Sequence, residues 1–283
     1  MKRILLSALW GIVCVLFCNG CSGSGNSNGN DGSGSTKVKK PLNITVFIDL
    51  SDRIEKNTHH VSSETKDLEI FKHLTASFKE KAVSEKIVPC EDRMEVFFYP
   101  VPNASEIINL SKGLIIDLAK VNIKKKKEVL NQLDVKWDSA LSQIYAQAKA
   151  EKKYHGADIY GFVGKKINSQ CVLPNYRNVL IILSDGYPYD VKSANSYGNN
   201  EFSYVTPKLL RQYPNAKLKP LKVDLSNLEI LLLEVDEANK GDYYKLQTIW
   251  ADWLNGMNVK RFEMAETDLP NQTQKVIDAF LKQ

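Results

Sequence analysis

The segments Ile44–Asp52 (ITVFIDLSD) and Asn178–Gly186 (NVLIILSDG) decide the fold class, since each is a continuous apolar run that ends in an acid and a hydroxyl. Such a run is typical of a strand that is covered on both faces, as in a parallel sheet. Parallel strands deliver their last residues to one edge of the sheet, where the ligands of open α/β folds collect. The two segments therefore predict an α/β fold with a polar site at the carboxyl edge of its sheet.

The polar residues at the ends of these two strands suit a metal ion. Asp49 and Ser51 follow the first apolar run, and Asp185 follows the second. A hard divalent cation is held by oxygen donors, usually one or two carboxylates with hydroxyls and water, and it keeps a position open for an outside ligand. Asp49, Ser51 and Asp185 are therefore the predicted metal ligands.

The rest of the chain from residue 42 to residue 283 alternates between strand and helix patterns, without a second linker. We expect strands at Arg93–Tyr99, Asn178–Ser184, Leu228–Glu234 and Val259–Glu263, a short edge strand at Ala104–Leu110, and helices at Lys66–Glu85, Trp137–Lys152, Tyr243–Asn255 and Asn271–Lys282. This alternation predicts one domain with a Rossmann-like, doubly wound, mostly parallel sheet that is flanked by helices.

The N-terminal residues predict export and lipid anchoring. Residues 1–20 have a basic start and a short apolar run, as a signal peptide has, and Gly20 precedes Cys21 as in a bacterial lipobox. Cys21 would then carry the lipid, and residues 21–41, rich in Gly, Ser and Asn, would form a flexible tether. An ordinary cleaved signal is the alternative. The expected location is the bacterial cell envelope, facing the periplasm or the surface, with the choice between inner and outer membrane left open.

Two other features bear on partners and on redox state. The net charge is +5, and the basic run Lys124–Lys127 has no interleaved aromatic residues, so we expect no nucleic-acid partner. Beyond the predicted lipobox the chain has the cysteines Cys90 and Cys171. In an oxidising compartment they form either a disulfide or two free thiols, and the sequence leaves both open.

The motifs resemble those of the von Willebrand factor A domain. That family has a Rossmann-like sheet and a metal-ion-dependent adhesion site, made from an Asp-x-Ser-x-Ser motif, a threonine from a later loop and an aspartate after the fourth strand. Here the segment 49–53 (DLSDR) and the segment 184–186 (SDG) match this pattern in part. The resemblance implies a binding domain with Mg²⁺, or alternatively Mn²⁺ or Ca²⁺, on Asp49, Ser51 and Asp185.

The chain departs from the family pattern at two positions. Arg53 stands where the second serine would be, and a guanidinium has no acceptor lone pair. It either pairs with Asp49 or Asp185 in place of the metal, or turns outward and leaves Asp52 as a substitute oxygen. In place of the threonine, the resemblance offers Asp138 and Ser139 at the opening of the predicted helix; either could instead be a helix cap.

Three functions follow from these features. The first is a lipid-anchored binding module that docks a protein or glycan partner, and the Tyr- and Asn-rich insertion at about 186–227 is either part of its contact surface or a separately packed segment. The second is a metal-assisted phosphoester or ester hydrolase that uses Asp49 or Ser51, with His59 and His60 nearby. The third is a structural envelope scaffold with a degenerate metal site. The first is the expectation, and it is not an enzyme.

Overall fold

The central sheet has six strands in the described part of the chain, in the order β11, β10, β6, β1, β4, β5. The computed structural model describes residues 39–58, 60–151, 157–189, 195–197, 200–202, 205–213 and 215–282. Its strands are β1 (Leu42–Ile48), β2 (Asn57–Thr58), β3 (Val61–Ser62), β4 (Arg93–Phe97), β5 (Ile115–Asp117), β6 (Arg177–Leu183), β7 (Asn195–Tyr197), β8 (Asn200–Phe202), β9 (Lys217–Leu218), β10 (Leu228–Val235) and β11 (Arg261–Glu266).

Helices cover both faces of this sheet. They are α1 (Ser63–Ser84), α2 (Ser105–Ser111), α3 (Lys126–Glu151), α4 (Ile159–Lys165), α5 (Ile167–Cys171), α6 (Pro207–Gln212), α7 (Asp242–Asn255) and α8 (Pro270–Lys282). Two short 3₁₀ helices, Asp52–Glu55 and Ile123–Lys125, complete the set. Neighbouring strands of the central sheet are parallel except for β5, which is antiparallel to β4, so the predicted Rossmann-like α/β fold is confirmed.

The strand order explains where a site can form. The chain builds outward from β1 through β4 to β5, and then returns to the other side of β1 with β6, β10 and β11. The order therefore reverses between β1 and β6. At such a switch point the connections leave toward opposite sides, which opens a crevice at the carboxyl ends of the two strands. Asp49 and Asp185 both follow these ends.

The sheet separates two hydrophobic cores, because successive side chains of a strand point to opposite faces. In β1, Ile44, Val46 and Ile48 face a first core with α1, α3 and α8, whereas Phe47 faces a second core with α4, α5 and α7. In β6, Val179, Ile181 and Leu183 face the first core, and Leu180 and Ile182 face the second. Burial on both faces explains why these strands have continuous apolar runs.

The same layering bears on the cysteines. Cys90 and Cys171 are both free and buried. Cys90 belongs to the first core and Cys171 to the second, so the sheet lies between them. The structure therefore contradicts the alternative of a disulfide between Cys90 and Cys171 and agrees with two free thiols.

Two of the predicted elements differ from the structure. Residues 104–110, expected as an edge strand, fall largely in the helix α2, and the edge strand is β5. A short apolar run is ambiguous between helix and strand, and this one was assigned to the wrong type. The helix expected from Trp137 begins at Lys126 instead, so Asp138 and Ser139 lie inside α3 and do not cap it.

Several predictions fall partly or wholly outside the described residues. The signal peptide, Cys21 and the tether up to residue 38 are among them, as are His59 and parts of the insertion at about 186–227. The described parts of that insertion include α6 and a three-stranded sheet of β8, β7 and β9. Among the described residues, no helix combines the length and apolar character needed to cross a membrane.

We expect thiol titration to confirm the state of the cysteines. The unit from Lys39 onward contains Cys90 and Cys171 as its cysteines, and burial raises the pKa of both thiols. Both should therefore react slowly with a thiol reagent in the native state. After denaturation without reductant, both should react at once. If neither reacted until a reductant was added, the two would be bridged in the protein.

Candidate functional site at the carboxyl edge of the sheet

The loop after β1 folds back on itself through local hydrogen bonds. The Asp49 carboxylate accepts from the Ser51 amide (N to Oδ1, 2.8 Å), and Ser51 Oγ accepts from the Arg53 amide at 3.4 Å. Asp and Ser side chains commonly make such bonds to the backbone two residues on, which starts a turn. Ser51 thereby caps the 3₁₀ helix Asp52–Glu55.

Asp49 joins this loop to the end of β6. It is 5 % exposed, and its Oδ2 accepts a hydrogen bond from Ser184 Oγ at 2.9 Å. Burial raises the pKa of Asp49, the nearby Arg53 charge opposes this, and the charge of Asp185 adds to it. The fold thus brings together Asp49, Ser51 and Asp185, although up to 136 positions separate them in the sequence.

Arg53 points into the protein. Its Nε donates to the Asp49 carbonyl oxygen at 2.9 Å, and its Nη2 donates to Asp67 Oδ2 at 2.5 Å. Tyr145 of α3 donates its hydroxyl to the same Asp67 oxygen at 2.5 Å. Arg53 is 2 % exposed and Asp67 is fully buried. We call Arg53, Asp67 and Tyr145 the buried triad.

The ionisation of the triad follows from its surroundings. Burial lowers the pKa of Arg53, but the charges of Asp67, Tyr145 and Asp49 and the hydrogen bond to Asp67 together raise it above its ordinary value. Burial raises the pKa of Tyr145 well above its ordinary value, so its hydroxyl keeps its proton and donates it. The triad therefore gives Asp67 Oδ2 one ion pair and one neutral donor, while Asp67 Oδ1 is buried without a hydrogen-bond partner among the described residues, and burial raises the pKa of Asp67.

A second buried polar group lies under the same edge, beside the end of β10. Lys66 donates to Thr267 Oγ1 (2.6 Å), and the hydroxyls of Thr267 and Thr273 donate to Glu234 at 2.6 and 3.2 Å. The Lys66 ammonium is 3.9 Å from the Glu234 carboxylate. Glu234 has φ 65°, which is uncommon for a residue with a side chain. Strain of this kind persists where surrounding contacts hold the residue in place.

The exposed part of the site is an ion pair between Lys56 and Asp185. Lys56 Nζ lies 2.9 Å from Asp185 Oδ2, and the two side chains are 43 % and 14 % exposed. Burial lowers the pKa of Lys56, but Asp185 more than offsets this, with smaller contributions from Asp52 and Asp236. Asp52 is exposed on the 3₁₀ helix, so its carboxylate contributes charge at the rim of the site.

Gly186 turns the chain away from this ion pair. Its φ is +85°, and a Cβ at this position would lie 2.9 Å from Val235 Cγ1, so the turn requires glycine. Trp250 of α7 donates its Nε1 to the Gly186 carbonyl at 2.8 Å. The next residue, Tyr187, donates its hydroxyl to Asp242 Oδ2 at 3.2 Å, which makes this tyrosine part of the internal packing.

The structure does not bring Asp138 and Ser139 to this site. Lys149 near the end of α3 pairs with Glu64 at the start of α1, which places the C-terminal end of α3 at the carboxyl edge. Asp138 and Ser139 come about eleven residues earlier, or roughly 16 Å along the helix. Tyr145 is the residue that α3 contributes to the site.

Lys56, Asp67 and Tyr145 were missed as site residues by the sequence analysis. Tyr145 was assigned only to the apolar face of its helix. The available signal was an acid on the apolar face of α1: Asp67 comes four positions before Phe71 and seven before Leu74, which are both buried, and it is itself fully buried. A carboxylate on the core side of a helix requires a cationic partner, and Arg53 was the one unexplained cation in the motif.

The predicted ligand oxygens do not fit a divalent cation as they are arranged. Both Asp49 oxygens accept hydrogen bonds, Ser51 Oγ caps the 3₁₀ helix, and Asp185 Oδ2 faces an ammonium at 2.9 Å. Oxygens that accept one hydrogen bond can still bind an ion, but a divalent ion is repelled by a cation at contact distance. Binding of such an ion would require Lys56 to move away.

A second group of carboxylates, also paired with a lysine, lies near the end of α1. Glu85, Cys90 and Asp92 bring potential metal-ligating atoms together in the described part of the chain. Lys81 Nζ already lies 2.5 Å from Asp92 and 2.8 Å from Glu85. The ammonium group thus balances these carboxylates.

Comparisons with known proteins add little to this geometry. No family model and no curated protein matches the chain. Two crystal structures of the pilus adhesin SpaC from Lactobacillus rhamnosus GG are similar over 87 % of this chain and 30 % of theirs, with 13 % and 14 % identity and TM-scores of 0.43. This chain therefore spans less than a third of the SpaC chain.

A crystal structure of an aerotolerance-related membrane protein from Bacteroides fragilis NCTC 9343, with multiple mutations to serines, is also similar. It matches 86 % of this chain and 100 % of its own, with 10 % identity and a TM-score of 0.39. Likenesses of this size carry no argument about function. What the site does must be inferred from its own residues.

We expect the buried triad to be a main source of stability. Asp67→Ala would leave the Arg53 guanidinium buried without its partner, which should lower the free energy of unfolding by about 3–5 kcal/mol. Tyr145→Phe keeps the ion pair and removes one hydrogen bond to it, so it should cost about 1.5–3 kcal/mol. Urea denaturation measures both values.

The matched control is Glu69→Ala on the same helix. Glu69 pairs with Lys72 at the surface, where both side chains are more than a third exposed. Its removal should change the free energy of unfolding by at most about 0.5 kcal/mol. If Asp67→Ala were as mild as this control, the triad would not hold the loop to the helices.

Proposed function

We propose that this chain is a lipid-anchored envelope binding module of the von Willebrand factor A type, which docks a protein or glycan partner at the carboxyl edge of its sheet. The observation that carries the proposal is the ion pair of Lys56 and Asp185, exposed at the switch point between β1 and β6. Beneath it lie the buried triad and the group around Glu234, which hold the loops in place. An exposed charged rim that is supported by rigid, buried contacts is suited to recognition of a partner.

The direction of β1 supports docking at the carboxyl edge of the sheet. β1 begins at Leu42, directly after the predicted tether, and runs from the amino edge of the sheet to the carboxyl edge. The docking edge is thus the end of the sheet opposite to the one at which the chain enters.

The hydrolase alternative receives less support from the same residues. Ser51 Oγ caps a helix and Asp49 is buried with both oxygens hydrogen-bonded. A nucleophile has to be accessible to its substrate and activated by a neighbouring base. We therefore propose neither Ser51 nor Asp49 as a catalytic group, and we propose no enzymatic activity.

Site-specific photo-crosslinking in cells would test the docking edge. A photoreactive amino acid at Asp52, which is exposed at the rim of the site, should give a crosslinked species with a partner. The control position is Val83, which is 61 % exposed near the end of α1. Because α1 runs back from the carboxyl edge, Val83 lies toward the opposite edge and should give no such species.

Two outcomes would contradict the proposal. Equal crosslinking from Asp52 and Val83 would indicate unspecific contact, and crosslinking from Val83 alone would place the partner at the other edge. The structural-scaffold alternative predicts crosslinks that do not change when the rim charges are altered. Under the proposal, Asp185→Ala should reduce the yield from Asp52 because it removes the acceptor that orients Lys56.

A further inference from the structure

We propose that the Lys56 ammonium is a built-in cation that takes the place of a divalent ion at the carboxyl edge, so that docking there does not depend on metal. The docking role itself rests on the proposed function. The ion pair with Asp185 at 2.9 Å is the starting observation. Arg53, which replaces a serine of the family motif, has a different task, because its guanidinium points inward to Asp67.

The backbone places Lys56 for this contact. The Lys56 amide donates to the Arg53 carbonyl at 2.9 Å, which closes the 3₁₀ helix. The Lys56 carbonyl accepts from the amide of Ser63, at the start of α1, at 3.1 Å, and from the Ser63 hydroxyl at 3.3 Å. Hydrogen bonds therefore hold both the amide and the carbonyl of Lys56. Its side chain extends from the loop after β1 to Asp185, the acid after β6.

The charges around Lys56 require a cation. Asp185 contacts its ammonium at 2.9 Å, Asp52 lies on the 3₁₀ helix that precedes Lys56, and the Asp236 amide donates to the Asp185 carbonyl at 3.3 Å. These carboxylates repel one another unless a positive charge lies among them. A divalent ion is one way to supply that charge. Here Lys56 supplies it through a side chain that belongs to the fold.

The oxygen atoms support the same conclusion. The Lys56 ammonium occupies the side of Asp185 Oδ2 that an ion would need, whereas each Asp49 oxygen already accepts one hydrogen bond, from Ser51 or from Ser184. These bonds are compatible with an ammonium that contacts Asp185 alone.

Thermal unfolding of the purified chain with Mn²⁺, Mg²⁺ or a chelator tests the inference. The wild type should unfold at the same temperature in all three. Lys56→Gln removes the charge and keeps most of the side chain, so it should lower the Tm by about 2–4 °C and should regain it with millimolar Mn²⁺. Lys56→Arg keeps the charge and should behave as the wild type does.

Two results would overturn the inference. One is a rise in the wild-type Tm with Mn²⁺ that disappears in Asp185→Asn, because this would indicate a resident ion. The other is a Lys56→Gln variant whose Tm does not respond to metal, because the ammonium would then not stand in an ion's place.

Crosslinking from Asp52 in the presence of chelator separates this inference from the proposed function. An unchanged yield supports metal-independent docking, and a yield lost on chelation overturns it. If no crosslinks form under any condition, the docking role fails. The thermal measurements would still decide whether Lys56 replaces the ion.

Discussion

The buried ion pair between Arg53 and Asp67 is the interaction on which the rest of the site depends. It joins the loop after β1 to α1, and Tyr145 extends the link to α3. Because Arg53 also donates to the Asp49 carbonyl, the position of the first acid of the site is determined by a contact in the core. The exposed rim can therefore be charged and still be ordered.

Burying these charges has a cost that the surroundings must offset. A guanidinium and a carboxylate lose their hydration when buried, and their attraction repays this only when the remaining hydrogen-bonding groups are satisfied. Here Tyr145 supplies an additional donor to Asp67 Oδ2, and the Asp49 carbonyl accepts from Arg53 Nε. Asp67 Oδ1 has no partner among the described residues, so part of this cost is not offset. The neighbouring group of Lys66, Thr267 and Glu234 pairs its own charges in a similar way.

The sequence predicted the fold better than the site. The strands β1, β6 and β10 were evident because burial on both faces leaves a continuous apolar run. α2 was assigned to the wrong type because a short apolar run has no distinguishing period, and the polar first turns of α3 concealed its start at Lys126. Asp49, Ser51 and Asp185 were found because motif and strand order both point to one edge.

The partners of the two cations could not be predicted from the sequence. The contact of Arg53 with Asp67 and that of Lys56 with Asp185 depend on the direction in which each side chain leaves a short 3₁₀ helix, from within it for Arg53 and from its end for Lys56. Residue spacing does not determine this direction, since Asp49, Asp67 and Asp185 are all acids near the same edge. Only the packing of α1 and α3 distinguishes Asp67, the buried acid, from Asp185, the acid at the rim.

The division of β1 between two cores limits how this protein can change its length. Phe47 belongs to one core and its neighbours Val46 and Ile48 to the other. Inserting or deleting a single residue in β1 would exchange these side chains between the faces and would also move Asp49 out of reach of Ser184. Variation in length is therefore restricted to the loops between the elements, where the chain can lengthen without changing the phase of a strand.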